Sequence, residues 1–158
     1  MVRIEDLLPP ECVRRAVTAH SRKRSLDFAA DLLAEWHPGV DARPLLEALM
    51  ARERLGSTGI GEGVAIPHCR LECPGMMAAF FLLAEPVDYD APDGKPVDLV
   101  FVLVVPPGET GAHLEVLSTL ATVFRDPATC ERLRRAASAG ELGAILCDAA
   151  VRAAGAGA

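Results

Sequence analysis

The segment Arg52-Glu53-Arg54-Leu55-Gly56-Ser57-Thr58-Gly59-Ile60-Gly61-Glu62-Gly63-Val64-Ala65-Ile66-Pro67-His68 carries a glycine-rich loop into a short apolar stretch that ends on a histidine. A neutral imidazole has an unshared electron pair on one ring nitrogen, and its ordinary pKa of about 6.5 leaves much of it nucleophilic at neutral pH. His68 is therefore the first candidate for chemistry, as a group that attacks phosphorus. The four glycines between Gly56 and Gly63 allow sharp turns that bring backbone amides close to an anion. Ser57 and Thr58 either offer hydroxyls to such an anion or bond their own backbone as ordinary turn residues. Two familiar phosphate loops are excluded. A nucleotide P-loop needs Lys and then Ser or Thr after its last glycine, but Gly61 is followed by Glu62 and Gly63. The dinucleotide pattern fails as well, because its sixth place counted from Gly59 is Val64. A phosphoryl group carried on a side chain fits better than a bound nucleotide.

Such a histidine must be held by its elements. Val64-Ala65-Ile66 reads as a buried strand, and Pro67 keeps Ile66 extended and stops the strand where the imidazole begins. Before the loop, Ser21 is a cap for a helix that ends at Pro38-Gly39, with Leu26, Ala29, Ala30, Leu33 and Trp36 at helical spacing as core residues. Asp41 and Pro44 suit the start of a second helix, which turns Leu45, Leu46, Leu49 and Met50 inward and delivers Arg52 and Glu53 near its end. Residues 13–17 are a candidate short strand. The continuous apolar runs 76–84 and 98–105 suit strands covered on both faces, joined through turn chemistry at 88–94. Pro106-Pro107-Gly108 breaks the second run. Thr110 is a cap for a helix over about 112–125, Asp126-Pro127 restarts a helix to about 137, and Ser138 with Glu141 has capping-box spacing for a last helix ending near Ala149. Helices around several buried strands predict an α/β fold, a single domain with a mixed β-sheet sandwiched between helices over 5–148, followed by a frayed tail at 149–158.

The helix-start position of His113 adds a second imidazole. There the positive end of the helix dipole favours a neutral ring or a nearby anion, so His113 either donates to a phosphate on His68 or acts as a capping, half-buried histidine. His20 and His37 lie at helix boundaries and need no function.

Composition narrows the classes further. A chain of 158 residues with 51% apolar residues fills one core, and its net charge of −6 argues against a phosphate-backbone partner such as nucleic acid. The longest apolar run is too short to span a bilayer, and no secretory leader precedes it, so a cytoplasmic location without membrane insertion is expected. Five cysteines without paired Cys-x-x-Cys groups argue against a disulfide scaffold. His68, Cys69 and Cys73 could share a metal, but no second ligand pair stands at zinc-site spacing, so buried reduced thiols and no metal or cofactor are expected.

The run from Arg52 to His68, together with Pro96-Val97-Asp98-Leu99-Val100-Phe101 and His113-Leu114, resembles the type-2 IIA domains of the bacterial phosphoenolpyruvate-dependent phosphotransferase system. The likeness covers roughly residues 5 to 148, and the intact Gly-Ser-Thr-Gly-Ile-Gly run is most similar to the stand-alone nitrogen-regulatory branch. Cys69 stands where that family usually has Gly or Ala. The resemblance implies a phosphohistidine at His68, carried on Nε2 while a backbone carbonyl holds Nδ1. It also implies Arg52 as the active-site arginine and His113 as the second active-site histidine. A guanidinium fork bridges two phosphoryl oxygens, and one charge-assisted bond of this kind contributes on the order of 1.5–3 kcal/mol. Arg54 points elsewhere if its helix continues, and Glu53 either orients Arg52 or faces water.

These readings converge on a phosphoryl-carrier protein. An HPr-like donor, charged by enzyme I from phosphoenolpyruvate, phosphorylates His68, and the phosphorylation state signals to partners such as transporters or kinases. A sugar-transport IIA subunit passing phosphate to a IIB protein, and an unphosphorylated interaction module, are the competing expectations.

Overall fold

The computed structural model describes residues 2–156. The chain forms α1 (Ile4–Leu7), a 3-10 turn (Pro10–Cys12), β1 (Val13–Val17), α2 (Arg22–Trp36), α3 (Ala42–Leu55), β2 (Gly59–Gly61), β3 (Val64–Ala65), β4 (His68–Arg70), β5 (Met77–Val87), β6 (Val97–Val105), α4 (Ala112–Arg125), α5 (Pro127–Arg134) and α6 (Ala139–Ala156). The apolar runs of β5 and β6 pair antiparallel, from Met77 opposite Val104 to Val87 opposite Val97, and form the centre of one six-stranded mixed sheet. The order is β1-β5-β6-β3-β2, with β4 also on β6. β1 runs parallel to β5, and β3 and β4 run parallel to β6.

Alternation along β5 shows why helices are needed on both faces. Phe81 meets Phe28 of α2 edge-on with ring centroids 5.1 Å apart, whereas its neighbour Phe80 turns the other way. Phe80 packs on Phe124 of α4 and on its cross-strand partner Phe101, each at 6.0 Å. α3 joins α2 on the first face, and α5 and α6 join α4 on the second. β5 from Met77 to Leu83 and β6 at all but Asp98 are buried because helices cover both faces of the sheet there.

Several helix boundaries follow from side-chain caps. Ser21 Oγ accepts from the Arg24 amide at 3.1 Å, Asp126 accepts from Ala128 N at 3.2 Å, and Ser138 accepts from Glu141 N at 3.1 Å. Others depart from expectation. Asp41 makes no side-chain cap bond, and α5 ends at Arg134. α6 continues to Ala156, beyond the expected end near Ala149, because Ala149 and Ala150 are still buried and extend its packed face. Of the expected frayed tail, Gly157 and Ala158 lie outside the described residues. Trp36 is not a core residue: at the last position of α2 it is 44% exposed.

Phe80 fills space between the sheet and α4 and is fully buried. Phe80→Ala is expected to lower unfolding free energy by about 3–5 kcal/mol, measured as a reduced urea midpoint with an unchanged m-value.

Candidate active site

The site begins at an interruption in one strand. β3 pairs with β6 at Leu99 and Val100, Ile66 and Pro67 break away, and β4 resumes pairing with His68 opposite Leu103. Pro67 therefore does not end the strand at the histidine, as the sequence suggests. It lacks an N–H to donate, but its carbonyl still accepts from Leu103 N at 2.9 Å, so the ladder restarts at once. The carbonyl of Ile66 accepts from His68 Nδ1 at 2.8 Å. A carbonyl oxygen can only accept, so this bond puts the ring proton on Nδ1 and the unshared pair on Nε2.

His68 is half-buried, and its pKa is pushed below the usual 6.5 chiefly by desolvation. The Ile66 carbonyl opposes that shift, the charge of Arg52 adds to it, the Glu53 carboxylate opposes it, and His113 adds to it. The ring is thus neutral at neutral pH, and the Arg52 and His113 side chains lie near enough for their charges to act on it.

The end of α3 and the following loop are tied down by a buried polar network. Arg52 Nη1 donates to the carbonyl of Gly56 at 2.8 Å, which folds its side chain over the helix end. Glu53 neither orients Arg52 nor faces water. It is 5% exposed, accepts the Thr58 hydroxyl and receives Arg22 Nη1 at 3.3 Å. The Ser57 hydroxyl donates to the carbonyl of Tyr89 and accepts from Gly59 N at 3.0 Å. The fully buried Tyr89 hydroxyl bonds Ser25, whose own proton goes to Arg22 O at 2.7 Å. The Ser57 and Thr58 hydroxyls thus donate to protein acceptors in this structure, a carbonyl and a carboxylate. Arg54 is exposed on the far side.

The glycine run has two parts: Gly56 to Thr58 lead to Ile66, whose amide donates to the Thr58 carbonyl at 3.0 Å, and Gly61 to Gly63 form a hairpin turn. Gly61, Glu62 and Gly63 all have positive φ and turn β2 into the antiparallel β3. The Glu62 amide donates to Asp93 Oδ2 at 2.8 Å. A Cβ on Gly63 would lie 2.5 Å from Arg134 Nη2, a group bonded to the Glu62 carbonyl while its Nε bonds Asp98. Val64 lies beside Leu99 but His68 beside Leu103, so the hairpin tip is roughly 13 Å along the sheet from the imidazole.

His113 stands in the first turn of α4, as expected, but Thr110 is not the cap. Glu109 is. Its Oε1 accepts from Gly111 N at 3.0 Å and Ala112 N at 2.6 Å, and its Oε2 accepts from His113 N at 3.2 Å and His113 Nδ1 at 2.6 Å. These donors hold the Glu109 carboxyl at about 2, the Gly111 amide foremost. The loop that carries it is clasped by Arg70, whose Nη1 donates to the carbonyls of Pro106 at 3.2 Å and Glu109 at 3.1 Å. Sequence reasoning passed over Glu109 and Arg70. An acid four residues before a helix-start histidine is a signal that could have found Glu109.

His20 is exposed, and His37 donates from Nδ1 to Leu33 O at the end of α2. Burial pushes the Cys69 thiol up to about 12 and raises Cys73 too, so neither is a thiolate nucleophile at neutral pH. Among the described residues no group of three or more His, Cys, Asp or Glu is placed to hold a metal ion. No helix among them is long and apolar enough to cross a membrane.

Helices on both faces of a mixed sheet, with a neutral histidine, a guanidinium and a second imidazole at one place, define a type-2 IIA domain. Residues 6–148 match the family described as phosphoenolpyruvate-dependent sugar phosphotransferase system, EIIA 2, and the chain belongs to that family. Within it, the chain is similar to nitrogen regulatory proteins. It is 46% identical over 149 residues to that of Pseudomonas aeruginosa, covering 94% of this chain and 97% of the relative. The crystal structure of the nitrogen regulatory protein IIA-Ntr from Neisseria meningitidis matches with a TM-score of 0.86 at 45% identity, over 90% of this chain and 98% of that one. The mannitol IIA enzyme of Escherichia coli, solved in complex with phosphorylated IIB, matches with a TM-score of 0.71 over 90% of this chain and 99% of that one. At 21% identity, that likeness is one of fold alone.

Because desolvation dominates its environment, His68 is expected to titrate below 6.5 in a side-chain NMR experiment. Its Nε2 signal should keep the character of an unprotonated nitrogen down to that midpoint.

Proposed function

We propose that this protein is a phosphoryl carrier in which Nε2 of His68 accepts a phosphoryl group from the phosphohistidine of an HPr-like donor, itself charged by enzyme I from phosphoenolpyruvate. The resulting state then regulates partner proteins such as transporters or kinases, as the similarity to nitrogen regulatory proteins suggests. The observation that carries this reading is the bond from His68 Nδ1 to the Ile66 carbonyl, which leaves the Nε2 pair free.

As the Nε2–P bond forms, the P–N bond of the donor breaks and its electron pair returns to the donor ring. A donor ring protonated on its other nitrogen departs as neutral imidazole. His68 keeps its Nδ1 proton on Ile66, and the positive charge its ring acquires is offset by the phosphoryl dianion. Arg52 and His113 are the groups that meet the oxygens of the transferring phosphoryl, which matches the demand of this chemistry for positioned charge over covalent assistance. Leu55 and Leu114 are 85% and 61% exposed, three residues from Arg52 and next to His113. They supply apolar rim for a transient donor complex. A phosphoryl group adds roughly −1.5 to −2 charges there, enough to alter which partner binds.

Incubation with phosphoenolpyruvate and purified enzyme I and HPr homologues should add one acid-labile phosphoryl group by intact mass. His68→Ala should add none, and label retained in that variant would place the acceptor on another residue. Arg52→Ala should slow transfer roughly ten- to a hundredfold with the urea midpoint unchanged, and an unchanged rate would remove Arg52 from the site.

A further inference from the structure

We infer that Glu109 is a positioning residue for phosphoryl transfer: its carboxylate fixes the imidazole of His113 so that Nε2, and only Nε2, is turned to the phosphoryl group on His68. The inference rests on the phosphoryl-carrier role proposed above for His68.

Helix capping alone needs a side-chain oxygen for one or two first-turn amides. Glu109 supplies that through Oε1, at Gly111 and Ala112, and its second oxygen then takes both the amide and Nδ1 of His113. The bond to Nδ1, at 2.6 Å, satisfies no backbone group. Its effect is on the ring: an ionised carboxylate accepts only, so the proton stays on Nδ1 and the ring cannot rotate without breaking the bond. Nε2 is the one polar atom of the side chain left for a ligand. When a phosphoryl dianion arrives on His68, Nε2 of His113 takes up a proton from solvent and donates it in a hydrogen bond, and Glu109 balances the charge of that doubly protonated ring from the other side.

The segment between β6 and α4 would ordinarily be the mobile part of such an arrangement. Here it is clasped from β4, the strand that starts with His68, by the guanidinium of Arg70 on the carbonyls of Pro106 and Glu109. The two imidazoles are thus referred to one short strand, His68 directly and His113 through Arg70 and Glu109.

The test is a double-mutant cycle on the full-length protein, with rapid-quench phosphoryl transfer from the phosphorylated HPr homologue read by intact mass. Glu109→Ala should slow transfer roughly tenfold or more, but the E109A/H113A double variant should be no slower than H113A alone. In a histidine side-chain 15N–1H correlation, E109A should lose the protected Nδ1–H of His113 and keep that of His68. Should E109A fail to fold, Glu109→Gln keeps an acceptor for the helix amides. It cannot accept on both sides, so it should move the ring proton of His113 to Nε2. Equal slowing by E109A with and without His113, or an unmoved His113 signal in both variants, overturns the role of Glu109. A wild-type protein that takes no label at all overturns the carrier role of His68 and any part for Glu109 in transfer with it.

Discussion

A hydrogen bond of 2.8 Å between His68 Nδ1 and the carbonyl of Ile66 sets the chemistry available to this protein. It selects one tautomer of the ring and leaves the unshared pair on Nε2, the atom on which the proposed phosphoryl transfer depends. The bond exists because the strand carrying the histidine is interrupted. Ile66 leaves the ladder on β6, and its carbonyl, two residues before the ring, becomes the acceptor of the ring proton. A continuous strand would place residues 66 and 68 on one face with their carbonyls committed along the sheet. The break thus acts on the ring by redirecting a backbone group.

Around that bond the fold concentrates polar contacts that serve geometry. Glu53 is a buried carboxylate between Arg22 and Thr58, and Tyr89 is fully buried with its hydroxyl on Ser25 and its carbonyl accepting from Ser57. Removing one member would leave another buried without a partner, at about 1–3 kcal/mol for a neutral group. Such a network tolerates few alternative loop conformations. It joins the start of α2, the end of α3 and the segment before β6, and so fixes the helix end that carries Arg52.

Much of this was legible in the chain itself. The runs in β5 and β6, the caps Ser21, Asp126 and Ser138, and the apolar stripe of α3 rest on local signals, periodicity and hydrogen-bonding side chains, and these hold when tertiary structure forms. The residues that fix the site's orientation rest on non-local ones. In the sequence Glu53 is an ambiguous helix acid because its partner Arg22 is thirty-one positions away, and Tyr89 stands within turn chemistry although its side chain points into the core. Glu109 was overlooked in favour of Thr110, since a cap reaching from outside the first turn competes with the usual Ser or Thr position and wins here by gathering four donors. The glycine run is ambiguous for a related reason: glycines that permit an anion cradle equally permit a hairpin, and Gly61 to Gly63 take the hairpin, beside Asp93 and Arg134.

β6 has a place in this scheme that its burial alone does not suggest. It pairs with β4 through Leu103, Val104 and Val105, and the chain leaves Val105 directly into the segment that bears His113. Both rings therefore hang from a single beam. Their separation is therefore set by two neighbouring strands and the segment that Arg70 clasps, not by the packing of independent layers. Arg52 is mounted on α3, which packs against β4, so the third group reaches the same strand from the helix layer.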